Sequence, residues 1–330
     1  MISTIGKAGI ISTIRERLDK LRNQIERRIR AAYNQFLASF EDDAVKTQIR
    51  QAVETNNVDA LLTIAATQTA IIGNAVPMAM IETAAAEMEH LKTILPVSEK
   101  GAAISIGFDP SHPRAAEKMQ AAKLGLIREF NDKQRDSVRQ ALTRAFETGQ
   151  GPRAVAATFV DSVGLTASQE AAVANYRALL EAGSRQALER DLRDRRFDRT
   201  VARAVDSDKP LTQDQIDRMV SRYRDNYKRY RAETIARTES TRIASIARQE
   251  ATMQMVEDLG VDPGRIIRVW HVTFDNRLRD IHASMEGQEV GIEEPFIDGD
   301  GGELMFPGDP AGAPESTINC RCSFSTRIRD

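Results

Sequence analysis

The chain has 330 residues, 46 Lys and Arg against 48 Asp and Glu, and a formal net charge of −2. So even a balance supplies no global attraction to nucleic acid or to an anionic membrane, and two cysteines are too few for a disulfide framework, which points to a reducing compartment. Aromatic residues make up only 5%, so the expectation is a helical, extended or assembly-dependent protein of two or three domains rather than one large core.

The opening "MISTIGKAGIIST" lacks the h-region and cleavage site of a secretory signal. Between residues 11 and 40, Ile11, Ile14, Leu18, Leu21, Ile25, Ile29, Ala32, Phe36 and Phe40 follow one another at steps of three or four. That spacing predicts one apolar stripe on a helix, serving either a bundle core or a partner helix. Residues 60–81 carry no charge and are long enough to span a bilayer. Thr63, Gln68, Asn74 and Pro77 interrupt them and alanine dilutes the aliphatics, so they read as helix buried against protein, with no stable membrane span.

A change of texture follows "LPVSEKG", and the Pro110 and Pro113 region reads as a linker or turn that opens a helix, with His112 as a loop histidine. Helices are expected from there to about residue 203, broken at "ETGQGPR" and "SVGLTASQE". Thr166 with Gln169, and Thr212 with Gln215, have the spacing of capping boxes. The second starts a helix expected over 212–259, with no interior Pro or Gly and with Gly260 and Pro263 beyond its end. A helix of that length needs neighbours along it. Residues 185–248 hold 17 basic and 11 acidic residues. With opposite charges interspersed, as in "RDLRDRRFDR", they read as a solvated helix face with i,i+4 pairs. A DNA-facing surface is the rival reading, without an aromatic platform to support it.

From Arg265 the pattern turns to strands. "RIIRVWHVTF" is β-branched and holds the single Trp270, "DNRLRDIHASMEG" reads as a short helix ending at Gly287, and "QEVGIEEPF" and "GELMFPG" read as short strands. "NCRCSFSTRI" alternates as a half-buried last strand, and pairing it with the Trp270 strand would put both thiols in a small core. "DGDGGE" misses the EF-hand pattern and reads as a flexible acidic turn. The predicted organisation is mainly α-helical with a small C-terminal α+β domain: residues 1–100, helical and partner-binding; 101–262, helical with the long helix; 263–330, α+β.

This last region gathers His271, Asp275, Asp280, His282, Cys320 and Cys322. A disulfide between Cys320 and Cys322 would be a strained ring closing almost nothing. Three readings remain open: a buried apolar pair, the usual fate of free cysteine; a zinc site on His282, Cys320 and Cys322 with His271 or Asp275 as fourth ligand, stapling a unit small enough to need it; and a catalytic Cys–His pair.

"ETIARTESTRIASIARQEA", "VWHVTFDNRLRDIHASMEGQEV", "FPGDP" and "NCRC", in that order, resemble the phage minor head protein family, the phage Mu F-like head morphogenesis domain. The motifs fall on Ile235 to Glu239, Trp270, Asp275, Arg279, His282, Gly287 and Asn319 to Cys322, and the likeness extends over roughly residues 105–330. Here the proline-rich lead-in to the cysteines, "FPGDPAGAPESTI", is longer and more acidic than in many relatives. The resemblance implies a structural protein, not an enzyme: a low-copy minor capsid component, oligomeric in a virion assembled in the host cytoplasm. Its partners would be the portal protein or the major capsid protein, with packaged DNA as a further contact. The rival functions are a DNA-contacting portal adaptor and a metal- or cysteine-dependent hydrolase or toxin-like module.

Overall fold

The structure, a computed structural model, describes residues 4–95, 106–207 and 209–329; the side chains of residues 4–12 and of Phe146 lie outside that description. Ile11 of the stripe and the expected boundary after residue 100 therefore fall outside it. Among the described residues nine helices come first: α1 (Thr4–Ala38), α2 (Asp43–Glu54), α3 (Val58–Gly73), α4 (Ala75–Ile94), α5 (Pro113–Glu147), α6 (Pro152–Ser162), α7 (Ala167–Glu181), α8 (Asp198–Asp206) and α9 (Gln213–Leu259). The C-terminal part follows as β1 (Ile266–His271), α10 (Asp280–Ala283), β2 (Glu289–Gly291), β3 (Phe296–Ile297), β4 (Glu303–Leu304), α11 (Pro314–Thr317) and β5 (Ser323–Ile328). The chain is thus mainly α-helical with a small C-terminal α+β part.

Both capping boxes form. Thr166 Oγ1 accepts from the Gln169 N–H, and Thr212 Oγ1 from the Gln215 N–H, while each glutamine returns a bond to the threonine N–H. The helix opened by Thr212 runs 47 residues without a break and stops at Gly260, whose φ of +63° ends a helix at no steric cost. Among the described residues, Val58–Ile94 is the one helical stretch long and apolar enough to cross a membrane by length and composition, and 44% of its most apolar window is buried within the chain.

Two compact units share these helices. The first comprises residues 1–32, 72–126 and 234–330. In it Leu18, Ile25, Ile29 and Ala32 of the α1 stripe are buried, so the stripe serves a core within the chain. Its C-terminal core packs Trp270, Val272, Met285, Phe296, Leu304, Cys320, Cys322 and Phe324. The sheet runs in the order β2–β1–β5, all antiparallel, with Trp270 opposite Phe324 and His271 opposite Ser323. The second unit comprises residues 33–71 and 127–233. Tyr33, Phe36, Phe40, Phe130 and Phe159 pack edge to face or tilted in it, an arrangement that aromatic quadrupoles favour. A second cluster there joins Val173, Tyr176 and Leu180 of α7 to Ile216, Val220 and Tyr223 of α9.

Three local expectations change. The helix predicted through residue 203 stops at Glu181; Gly183 takes φ +60°, and two 3-10 turns at Arg185–Glu189 and Arg195–Phe197 follow. Ser184 and Asp194 cap those turns with their own side chains, a local bond that competes with helix. "RDLRDRRFDR" accordingly pairs as Arg193–Asp198 and Arg196–Asp194, not at i,i+4. Burial into the last strand alternates as expected from Cys320 to Phe324 and then departs, with Ser325 and Thr326 both buried, because Ser325 Oγ meets the His271 ring and Thr326 Oγ1 meets Thr252 of α9. The acidic turn is not loose either. The Asp298 carboxylate is buried and accepts from the N–H groups of Asp300 and Gly302 and from Ser316 Oγ.

Candidate metal centre

Thr238, Thr241 and Ser245 recur at steps of three and four along α9, which sets them on one helical face. That face holds the lead-in to the last strand by its backbone. Ser245 Oγ donates to Pro307 O at 2.9 Å, Arg242 Nε to Gly308 O at 3.2 Å and Thr241 Oγ1 to Cys320 O at 2.8 Å, while Thr238 Oγ1 accepts from Asn319 N at 3.0 Å. Gly308, at φ +80°, brings its chain so near the helix that an added Cβ would lie 3.1 Å from Arg242 N. Asn319 takes φ +58°, a region asparagine tolerates better than most residues, and Arg237 donates to its Oδ1. Two residues on, Arg321 O accepts from Thr273 Oγ1 at 2.8 Å and from the Arg22 guanidinium of α1. Residues 319–322 are thus an irregular, heavily pinned segment leading into β5, not part of the strand.

Pinned so, Cys320 and Cys322 are 2% and 3% exposed, and His282 of α10 is 2% exposed. His282 Nδ1 stands 3.9 Å from Cys320 Sγ and 3.5 Å from Cys322 Sγ, and the three ligand atoms lie within 4.8 Å of one another. His282 Nε2 is buried without a hydrogen-bond partner. The Cys322 thiol donates to Cys320; that bond, with His282 beside it, holds Cys320 well below the usual cysteine range despite its burial. The same bond and burial push Cys322 far up.

Of the five residues singled out in the sequence, His282, Cys320 and Cys322 share this cluster and His271 and Asp275 do not. The His271 ring is 2.8 Å from Ser325 Oγ. Asp275 Oδ1 accepts from the Arg321 guanidinium at 2.6 Å and from Arg277 N at 2.9 Å. A cleft of about 20 Å³ opens beside the cluster, lined by both cysteines, His282 and the guanidinium-bearing Arg277, Arg279 and Arg321 among others. Close by, Arg268 is 1% exposed, and its guanidinium donates to Gly291 O, Met305 O and Glu294 O. Burial lowers its pKa to about 10, so it stays charged at neutral pH. Neither Arg268 nor the α9 threonines stood out in the sequence; the one signal available was the three-four spacing of hydroxyls in "RTESTRIAS".

Residues 177–325 match the model of the family described as Phage Mu protein F like protein. The NAD(+)--arginine ADP-ribosyltransferase EFV of Enterococcus faecalis (strain ATCC 700802 / V583) is 34% identical over 92 residues, which is 27% of this chain and 17% of that protein. No solved structure matches.

Proposed function

From residues 177–325 carrying a phage Mu F-like head morphogenesis domain, we propose that the chain is a structural component of a phage head: a low-copy minor capsid protein that contacts the portal or the inner face of the shell. The family match carries this reading. The fold supports it, since a 47-residue helix presents a polar face to a small α+β unit, an arrangement that holds backbone in place. The enzymatic reading draws on the transferase similarity. The cleft of about 20 Å³ beside the Cys–His cluster admits about one water, which is far too little for a dinucleotide. We therefore favour the structural reading over the transferase one. In purified particles of the phage or prophage that encodes the chain, quantitative mass spectrometry is expected to find it far below the copy number of the major shell protein. Its absence from particles, or parity with the shell protein, overturns the proposal.

A further inference from the structure

We propose that His282 Nδ1, Cys320 Sγ and Cys322 Sγ bind one zinc ion, with a water in the adjacent cleft as the fourth ligand. The inference is independent of the particle role, because it rests on geometry alone. In a tetrahedral site with sulfur about 2.3 Å and nitrogen about 2.0–2.1 Å from the metal, a nitrogen–sulfur edge measures about 3.5 Å. The two such edges here are 3.5 and 3.9 Å. All three donors reach this arrangement through elements fixed elsewhere. His282 lies on α10, whose Ile281 carbonyl receives the Gly299 N–H, and the cysteines lie on the segment held by Thr241, Thr273 and Arg22.

A packed apolar core accounts for the burial of two thiols but not for the histidine. Its imidazole is 2% exposed, with Nδ1 turned to both sulfurs, 3.9 Å from Cys320 Sγ and 3.5 Å from Cys322 Sγ. A divalent ion uses the Nδ1 lone pair and neutralises two thiolates; their protons leave to solvent as the metal enters. The donor set, two thiolates and one imidazole, suits zinc and other soft-ligand metals and disfavours calcium and magnesium. Asp275 is spent on Arg321 and Arg277 N, and His271 is bonded to Ser325. The remaining position opens on the cleft of about 20 Å³, room for about one water. A structural role follows, since that volume leaves a water no substrate to attack.

The test uses the full chain, expressed with added zinc and purified without chelator. Elemental analysis is expected to give one zinc per chain, and zinc-edge X-ray absorption two sulfurs at about 2.3 Å with nitrogen and oxygen at about 2.0–2.2 Å. Cys320→Ser and Cys322→Ser are each expected to bring the metal to background, His271→Ala and Asp275→Ala to leave it at one, and His282→Cys to retain it by restoring a soft donor. Should the serine variants fail to fold, cobalt reconstitution of the unaltered chain reads the same site through its sulfur-to-metal charge-transfer band. A metal-free chain whose two thiols are both free on denaturation, a cobalt complex without that band, or loss of metal on His271→Ala or Asp275→Ala overturns the assignment.

Discussion

His271, the last residue of β1, is 6% exposed. Burial, reinforced by Arg15, Arg248 and Arg327, lowers its pKa from 6.5 to about 4. A base with a depressed folded pKa binds fewer protons folded than unfolded, so stability rises with pH across the interval between the two values. It is fully present above about pH 6.5 and lost as pH falls toward about 4. About 2 kcal/mol should disappear between pH 7 and pH 5 from this residue alone. Urea melts of the unaltered chain and of His271→Gln check it: the pH dependence should be shallower in the variant by about that amount, and parallel curves would rule the account out. At this scale the sequence was legible where chemistry is scarce. Two cysteines and four histidines in 330 residues drew the eye to His282, Cys320 and Cys322. Arg268 was not legible, because one arginine among many carries no mark of being the one that bonds three carbonyls.

At the scale of elements, caps and periodicity were readable because they are local. Thr166, Thr212 and Gly260 do their work within a few residues of themselves, and the α1 stripe declares its face at every turn. The second half of α9 misleads for the opposite reason. Thr238, Glu239, Ser240, Thr241, Ser245, Arg248, Glu250, Thr252 and Gln254 are all buried, yet a polar helical run reads as a solvated face unless its partner is known. The partners are the backbone of residues 307–320 for Thr238, Thr241 and Ser245, Arg114 and Lys118 for Glu250, Asp109 for Gln254 and Thr326 for Thr252, and no pattern in the helix encodes them. Thr241→Val keeps the shape of the side chain and strips the hydroxyl that serves Cys320 O at 2.8 Å. Leaving that buried carbonyl short should cost about 1–2 kcal/mol, read from the denaturant midpoint. An unchanged midpoint would mean that the contact does not hold the segment.

For the whole molecule, the first unit draws on helices distant in sequence. Arg22 of α1 donates to Arg321 O, Arg15 pairs with Glu286, and Glu87 of α4 lies 3.0 Å from Arg17 and 3.6 Å from Arg248. Arg248 itself stacks 4.7 Å over the Phe324 ring. Residues 234–330 are therefore incomplete without α1 and α4, and a chain lacking residues 1–95 should expose Arg248 and the β5 face. Hydrogen exchange of β1 and β5 amides is the measurement: loss of protection in the shortened chain is expected, and full protection would show that the α+β part stands alone.

The bond from Arg22 to Arg321 spans 299 positions of sequence. Contacts so distant repay their loop-closure entropy late and slow a chain's folding. On the ribosome, Arg22 of α1 is made 299 residues before its acceptor. Until then the Arg22 guanidinium lacks the carbonyl that receives it in the folded chain, and the first unit closes only after translation has passed residue 321.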